Sequence, residues 1–185
     1  MIKTPPDSIY TLLNGKKISL SRDFYFHSSD EMAHHPSLLH LGNNGKLHIH
    51  EMPNMPYKLA FVERENASET PLDRMPFIHI AELIPAISKH LPENSLTNVC
   101  LFLYENTALI FITRLKEILA VELKPYKIPD DLLYHVIHAI QKSKLVPESV
   151  HLNLAGEIAT DSAIMHNFSR YFKQISVIPM SIDTL

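Results

Sequence analysis

The stretch Asn98-Val-Cys-Leu-Phe-Leu-Tyr104 is the first of three apolar runs that decide the fold. Thr107-Ala-Leu-Ile-Phe-Ile-Thr113 follows after two residues, and Glu117-Ile-Leu-Ala-Val-Glu-Leu-Lys124 follows after three more. Links of this length are typical of hairpin turns. The three runs therefore predict three consecutive antiparallel strands.

The pattern after this meander predicts a helix, a strand, a second helix and a last strand. Apolar residues recur at helical spacing in both helices, and alternate with polar residues in the fourth strand. A helical crossover brings the fourth strand parallel to the first. The predicted segments are a helix over residues 131–141 that starts at Asp130 or Asp131, a strand over 149–155 ended by Gly156, a helix capped by Thr160 or Asp161 with Ile164, Phe168, Tyr171 and Phe172 on its apolar side, and a strand over 175–179.

Five motifs in this half carry a resemblance. They are Tyr104-Glu105-Asn106, the segments 126–134 and 152–158, Asp161-Ser162 and the segment 171–175. In order and spacing they resemble an uncharacterised family found mainly in Bacteroidetes, domain-of-unknown-function family 3822, whose members look like degenerate actin-like ATPases. The resemblance covers the C-terminal half of the chain well and the first half poorly.

The resemblance implies an α+β fold built on the ribonuclease H-like unit β-β-β-α-β-α-β, which actin-like ATPases use twice. We expect an abbreviated first lobe over residues 1–95, mostly strands plus one helix, and a ribonuclease H-like lobe over residues 96–185. For a bacterial protein of this kind we expect a cytoplasmic location.

The resemblance also implies where a nucleotide would bind. Actin-like ATPases hold phosphates in turns that usually contain glycine, which lets backbone N–H groups approach the phosphate without a Cβ in the way. The matching turn here is Glu105-Asn106, without glycine, and Gly156-Glu157 keeps one glycine of a usual pair. Glu105, Asn106, Gly156 and Glu157 are the candidate cofactor-binding residues if the chain is a nucleotide-binding ATPase or kinase-like member of the superfamily.

The missing glycines favour a different hypothesis, a non-catalytic protein-interaction or scaffold protein without a cofactor. Its partner would be another protein or a second copy of the chain.

A two-metal nuclease is not favoured, because such enzymes need an Asp in the middle of the first strand, where this chain has Cys100-Leu101-Phe102. Glu105, Glu157 and Asp161 could cluster at one end of the sheet, but a turn residue and a helix cap are the simpler interpretation. No catalytic residue is predicted.

The first half of the chain shows fewer helices than strands. Asn14-Gly15 is a strong hairpin signal between two short apolar runs. Further strands are predicted over residues 46–50 and 57–63, an exposed linker over 64–76, and an amphipathic helix between Ile80 and Leu91 with Pro85 inside its first turns.

Six histidines lie between His27 and His50. His48 and His50 would share one strand face, a spacing that metal sites use, and His34, His35 and His40 could in principle complete a site. Because no cysteine accompanies them, solvated or hydrogen-bonded histidines are the preferred interpretation. No metal site is predicted.

Composition excludes several classes of partner. A formal net charge of −3 and the lack of a Lys/Arg run argue against nucleic acid. The apolar runs are too short for a membrane span, and the N-terminus lacks the layout of a signal peptide. Cys100 is the only cysteine and lies in an apolar strand, so we predict a buried structural thiol in a reducing compartment.

Overall fold

The computed structural model describes residues 10–13, 16–19, 24–27, 45–52, 55–64, 77–92, 96–115, 117–156, 158 and 162–178. The chain divides into two compact units, Met1–Ala86 and Ile87–Leu185. The division into lobes with particular roles stays a prediction. Within the described ranges no helix has the length and apolar character needed to cross a membrane.

The second unit is built on a five-stranded mixed sheet in the order β11-β10-β7-β8-β9. The first three strands in sequence form the predicted antiparallel meander, and β10 pairs parallel to both β7 and β11. This is the predicted ribonuclease H-like strand arrangement. The strands are β7 (Thr97–Tyr104), β8 (Thr107–Arg114), β9 (Glu117–Pro125), β10 (His151–Gly156) and β11 (Gln174–Val177).

Helix α2 (Pro129–Lys142) covers one face of this sheet with the predicted apolar stripe. The side chains of Leu132, Val136 and Ile140 are fully buried, whereas Tyr134 on the opposite side of the helix is 65% exposed. Burial of one such stripe is what holds a helix of this length, because isolated helices of 14 residues are marginal in water.

Helix α3 (Ala163–Ser169) corrects two details of the prediction. Its N-cap is Ser162, whose Oγ accepts the N–H of Met165 at 3.3 Å, and not Thr160 or Asp161, which lie outside the described residues. Tyr171 was predicted on the apolar side but is 46% exposed, because the helix ends before it. Phe168 and Phe172 are buried as expected.

Both faces of the central strands are buried. Val99 and Leu101 belong to the core under the helices, and on the opposite face Cys100, Phe102 and Tyr104 are at most 1% exposed. This explains why the meander strands are apolar throughout instead of alternating. Cys100 is buried, as predicted, and burial raises the pKa of its thiol far above the ordinary value.

The described part of the first unit is mostly β, as predicted. β1 and β2 form the antiparallel pair expected around Asn14-Gly15, with β6 parallel to β2, and β3, β5 and β4 form an antiparallel sheet in that order. The elements are β1 (Tyr10–Leu13), β2 (Lys16–Ser19), β3 (Phe24–His27), β4 (Gly45–Glu51), β5 (Lys58–Arg64), β6 (Phe77–His79), a 3-10 turn (Ile80–Glu82) and helix α1 (Leu83–Ser88).

Most of the linker predicted over residues 64–76 lies outside the described residues, and Arg64 itself ends β5. Pro85 is compatible with α1 because it is the third helical residue, and the first N–H groups of a helix have no intrahelical partner to lose.

Candidate functional site

The carboxyl edge of the central sheet is the candidate site, because ligands of open α/β sheets bind outside the carboxyl ends of parallel strands. In the β7–β10 register Gly156 lies opposite Leu103. Leu103 precedes Glu105 by two residues along the chain. Two residues of strand correspond to about 7 Å, so the Glu105-Asn106 turn and Gly156 share this edge. Glu157 lies outside the described residues. A binding role for these four residues stays a prediction.

The Glu105-Asn106 turn is closed by Tyr126. Pro125 pairs with Thr107 in the β8–β9 register, which places the next residue, Tyr126, beside the turn. Its hydroxyl donates to the carbonyl oxygen of Glu105 at 2.8 Å, and its backbone N–H donates to the carbonyl oxygen of Asn106 at 2.9 Å. The carbonyl groups of both turn residues are therefore hydrogen-bonded to Tyr126. Glu105 adopts a positive φ of +48°, a conformation that residues other than glycine rarely take.

Gly156 is required by the backbone of its neighbour strand. Its φ is +88°, and a Cβ at this position would collide with the carbonyl oxygen of Leu103. The glycine carbonyl accepts the N–H of Ile158 at 2.9 Å, which turns the chain away at the end of β10. Close strand packing thus accounts for this glycine without any ligand.

The N-terminus of α2 reaches the same edge and carries two carboxylates in its first turn. Asp131 Oδ2 accepts the backbone N–H groups of Lys127 and Ile128 at 3.1 and 3.3 Å. Asp130 Oδ1 accepts from Asn167 Nδ2 at 2.7 Å, which links α2 to α3. An anion at a helix N-terminus binds to such N–H groups and is attracted by the helix dipole. Here the chain's own carboxylate takes that place.

The chemistry of this edge is therefore acidic. Glu105 and Asp130 are exposed, Asp131 is half-buried, and Lys127 is the exposed cation beside them. Carboxylates bind cations and repel phosphates, so the described edge is better suited to a magnesium ion alone than to a triphosphate. Within the described ranges no three His, Cys, Asp or Glu side chains are grouped to hold a metal ion.

The histidines of β4 face a buried ring. His48 and His50 stack on Phe61 of β5, with ring centroids 5.0 and 5.5 Å apart, and both are half-buried. Leu47 and Ile49 on the other face are exposed, so the polar face predicted outward is the better-covered one. The side chain of His27 and residues His34, His35 and His40 lie outside what the structure describes.

A buried polar cluster on the face opposite the helices escaped the sequence interpretation. Asn153 Nδ2 donates to Asn98 Oδ1 at 3.1 Å, and His151 Nε2 lies 2.7 Å from Ser176 Oγ. Burial lowers the pKa of His151. His151 and Asn153 alternate with apolar residues along β10, and Asn153 is nevertheless only 1% exposed. One signal for this cluster was available in the sequence. β7 is an apolar run and is therefore expected to be buried, and its Asn98 lies opposite His151.

Comparison with solved structures gives the fold a name. The chain is similar to a crystal structure from Bacteroides thetaiotaomicron VPI-5482, described as a protein with an actin-like ATPase fold and unknown function, with a TM-score of 0.62 and 13% identity over 89% of this chain and 68% of that one. At this identity the likeness shows the fold alone, so this protein has an actin-like ATPase fold. The search of curated proteins by sequence gave no match.

Comparison with family models agrees with the resemblance in the sequence. The model described as protein of unknown function (DUF3822) matches residues 9–175 of the 185. The match spans nearly the whole chain, and includes the Glu105-Asn106 turn, Tyr126 and Gly156. The chain therefore belongs to the DUF3822 family.

Proposed function

We propose that this chain is a non-catalytic protein-interaction or scaffold protein whose actin-like ATPase fold has lost its nucleotide chemistry. The observation that supports this proposal is the closed turn at Glu105-Asn106. Both of its carbonyl groups are bonded to Tyr126, and it contains no glycine. A phosphate-binding turn needs backbone N–H groups that a phosphate can approach without a Cβ in the way, whereas both residues of this turn carry side chains.

Electrostatics at the same edge support the proposal. A triphosphate would bring several negative charges near Glu105, Asp130 and Asp131. Two like charges 4 Å apart repel by about 1 kcal/mol in water and by more near a protein surface. The helix dipole gives little compensation, because the carboxylates of Asp130 and Asp131 already place negative charge in the first turn of α2.

Exposed aromatic and aliphatic side chains support a role in protein interaction. Tyr134 is 65% exposed and stacks on His138 with ring centroids 5.9 Å apart, and Ile128 at the start of the same helix is 53% exposed. Large aromatic side chains that are already held in one orientation lose little entropy on binding, and such residues are enriched at interfaces. The partner is then another protein or a second copy of the chain, in the bacterial cytoplasm, rather than nucleic acid or membrane.

The second candidate is a nucleotide-binding ATPase or kinase-like protein. It is favoured by the place of Glu105 and Gly156 at one carboxyl edge, where the superfamily binds nucleotide. Against it, Gly156 is explained by its contact with Leu103. A carboxylate at Glu105 holding Mg²⁺ is the part of this alternative that the fold leaves open.

A thermal-shift scan with Mg²⁺ and nucleoside triphosphates separates the two candidates. A ligand at 100 times its dissociation constant stabilises the native state by about 2.7 kcal/mol, which raises the melting temperature by several degrees in a chain of this size. With about 5 mM Mg-ATP we expect a shift below about one degree. A larger magnesium-dependent shift that Glu105→Ala abolishes, and that Glu148→Ala in the 3-10 turn Pro147–Ser149 leaves intact, would establish the nucleotide-binding alternative.

A further inference from the structure

The pairing register of β10 is not fixed by a turn. β7, β8 and β9 are joined by links of two residues, and a hairpin link of that length sets which residues pair. β10 instead follows a crossover that contains α2, and such a connection leaves the register to the contacts between the strands. In the structure Leu152 lies beside Val99, and Gly156 lies beside Leu103.

The apolar pattern of β10 does not distinguish this register from one shifted by two residues. Side chains alternate between the two faces of a strand, so a shift of two keeps every side chain on its own face. The side chains that the two strands contribute to the core under the helices are all aliphatic: Val99, Leu101, Leu103, Val150, Leu152 and Leu154. Burial of these side chains therefore gives little preference for one register.

A shift in one direction is prevented by the turn at Gly156. A shift of β10 toward the N-terminus of β7 would place Gly156 beside Leu101, in the middle of the paired residues. Gly156 has φ +88°, and its carbonyl oxygen accepts the N–H of Ile158, so the chain leaves the strand at this residue. Such a turn belongs at the end of a paired segment, and the backbone itself disfavours this shift.

A shift in the opposite direction meets no such obstacle in the backbone. It would carry Gly156 past the last residue of β7 and leave its turn intact. It would also bring Asn153 beside Phe102 and move it by about 7 Å along the strand. The hydrogen bond from Asn153 Nδ2 to Asn98 Oδ1, 3.1 Å long in the structure, would break. The buried amide of Asn153 would then face an apolar neighbour, which is costly.

We propose that the Asn98–Asn153 hydrogen bond selects the register of β10 on β7 and so places Gly156 beside Leu103 at the carboxyl edge. Asn98 is 5% exposed and Asn153 is 1% exposed. Asn153 Oδ1 has no hydrogen-bond partner among the described residues, and a buried polar pair that is only partly satisfied stabilises a fold less than apolar side chains would. Fixing a register is the best-attested use of such a pair. This role is independent of the proposed interaction role.

NMR spectroscopy of the full chain with the double substitution Asn98→Val/Asn153→Val tests the proposal. NOEs between the backbone protons of β7 and β10 report the register, and the unsubstituted protein should show only the pairs Leu152–Val99 and Leu154–Leu101. In the double variant we expect a second set of signals with Leu152 beside Leu101, at about 10% or more of the total intensity. The urea midpoint should not fall, because both members of the buried amide pair are replaced by apolar groups.

Thr113→Val is the matched control for this experiment. Thr113 is 1% exposed and lies beside Asn98 in the β7–β8 register, but the link between β7 and β8 holds its strand in place. This variant should show the native NOEs alone. A single native register in the folded double variant, or a second register in the control, overturns the inference. If neither the valine pair nor Asn98→Leu/Asn153→Leu folds, the asparagines are needed for stability and not for register, which overturns it as well.

Discussion

Two turns at the carboxyl edge of the central sheet are closed by different means. At Gly156 the main chain itself leaves no room, because the neighbouring Leu103 carbonyl occupies the space of a Cβ. At Glu105-Asn106 a side chain closes the turn through the Tyr126 hydroxyl. The first closure depends on one residue type, and the second depends on a hydrogen bond that water can replace.

The two turns differ in how much substitution each of them tolerates. A position set by backbone geometry accepts almost no other residue, whereas one set by a half-exposed hydrogen bond loses little when the bond is removed. The expected effects of substitution therefore differ several-fold between two turns on neighbouring strands. Urea unfolding measures this comparison directly.

The largest effect is expected at Gly156. A residue other than glycine at φ +88° costs roughly 1–3 kcal/mol in backbone strain. For Gly156→Val we expect at least the upper part of that range, because the Cβ also meets the Leu103 backbone, which is not free to move within a paired strand. The midpoint of urea unfolding should fall accordingly. An unchanged midpoint would show that Gly156 serves a ligand instead of the fold.

Two further substitutions at Gly156 separate the cost of backbone strain from the cost of the collision with Leu103. Asparagine tolerates positive φ better than alanine, but both carry a Cβ. If the collision with Leu103 dominates, Gly156→Asn and Gly156→Ala should destabilise equally. If backbone strain dominates, Gly156→Asn should be the milder change.

Tyr126→Phe should have a smaller effect. It removes the hydroxyl bond to the Glu105 carbonyl, and leaves the backbone bond from residue 126 to Asn106 in place. We expect a loss of about 0.5–1.5 kcal/mol in unfolding free energy, and faster amide exchange around the turn. Tyr134→Phe makes the same chemical change at an exposed tyrosine and is the control. If Tyr126→Phe lowered the unfolding free energy as much as Gly156→Val, the two turns would not differ in how strongly they depend on their closure.

The strand order of the second unit was predictable because the cues were local. Two- and three-residue links and apolar runs specify the meander, and the α2 stripe at Leu132, Val136 and Ile140 specifies which face of the helix is buried. The family motifs lie in the same half. The closure of the turn could not be predicted. Tyr126 and Glu105 are 21 residues apart in sequence, and only the pairing of β8 with β9 brings them together.

Sequence alternation did not show which faces of the strands are covered. His151 and Asn153 look like the polar side of a strand, yet Asn153 is buried against Asn98. His48 and His50 look the same, yet their rings stack on buried Phe61. Period-two patterning distinguishes two faces of a strand, but which face is covered depends on neighbouring strands that the pattern does not specify.

The smallest effect is expected at the lateral edge, where an ion pair links β9 to α2. Glu122 lies 3.0 Å from Lys124 Nζ and 3.4 Å from Lys142 Nζ, and its side chain is 13% exposed. Burial raises the pKa of Glu122, but the hydrogen bonds and charges of the two lysines outweigh burial and lower the pKa below its ordinary value.

The sign of the pH dependence follows from this lowered pKa. A carboxylate whose pKa is lower in the folded state stabilises the fold above its unfolded pKa, and this contribution is lost as the pH falls through the folded value. Lys142 is 69% exposed, so its share is that of a surface pair, about 0.5 kcal/mol. We expect Lys142→Met to reduce stability by that amount at pH 7 and by less at a pH below the lowered pKa of Glu122, where its carboxylate is protonated, in urea melts at both values. Lys144→Met, just beyond the helix, is the control, and an equal loss at both pH values would mean that Lys142 contributes by packing along α2 instead of by its charge.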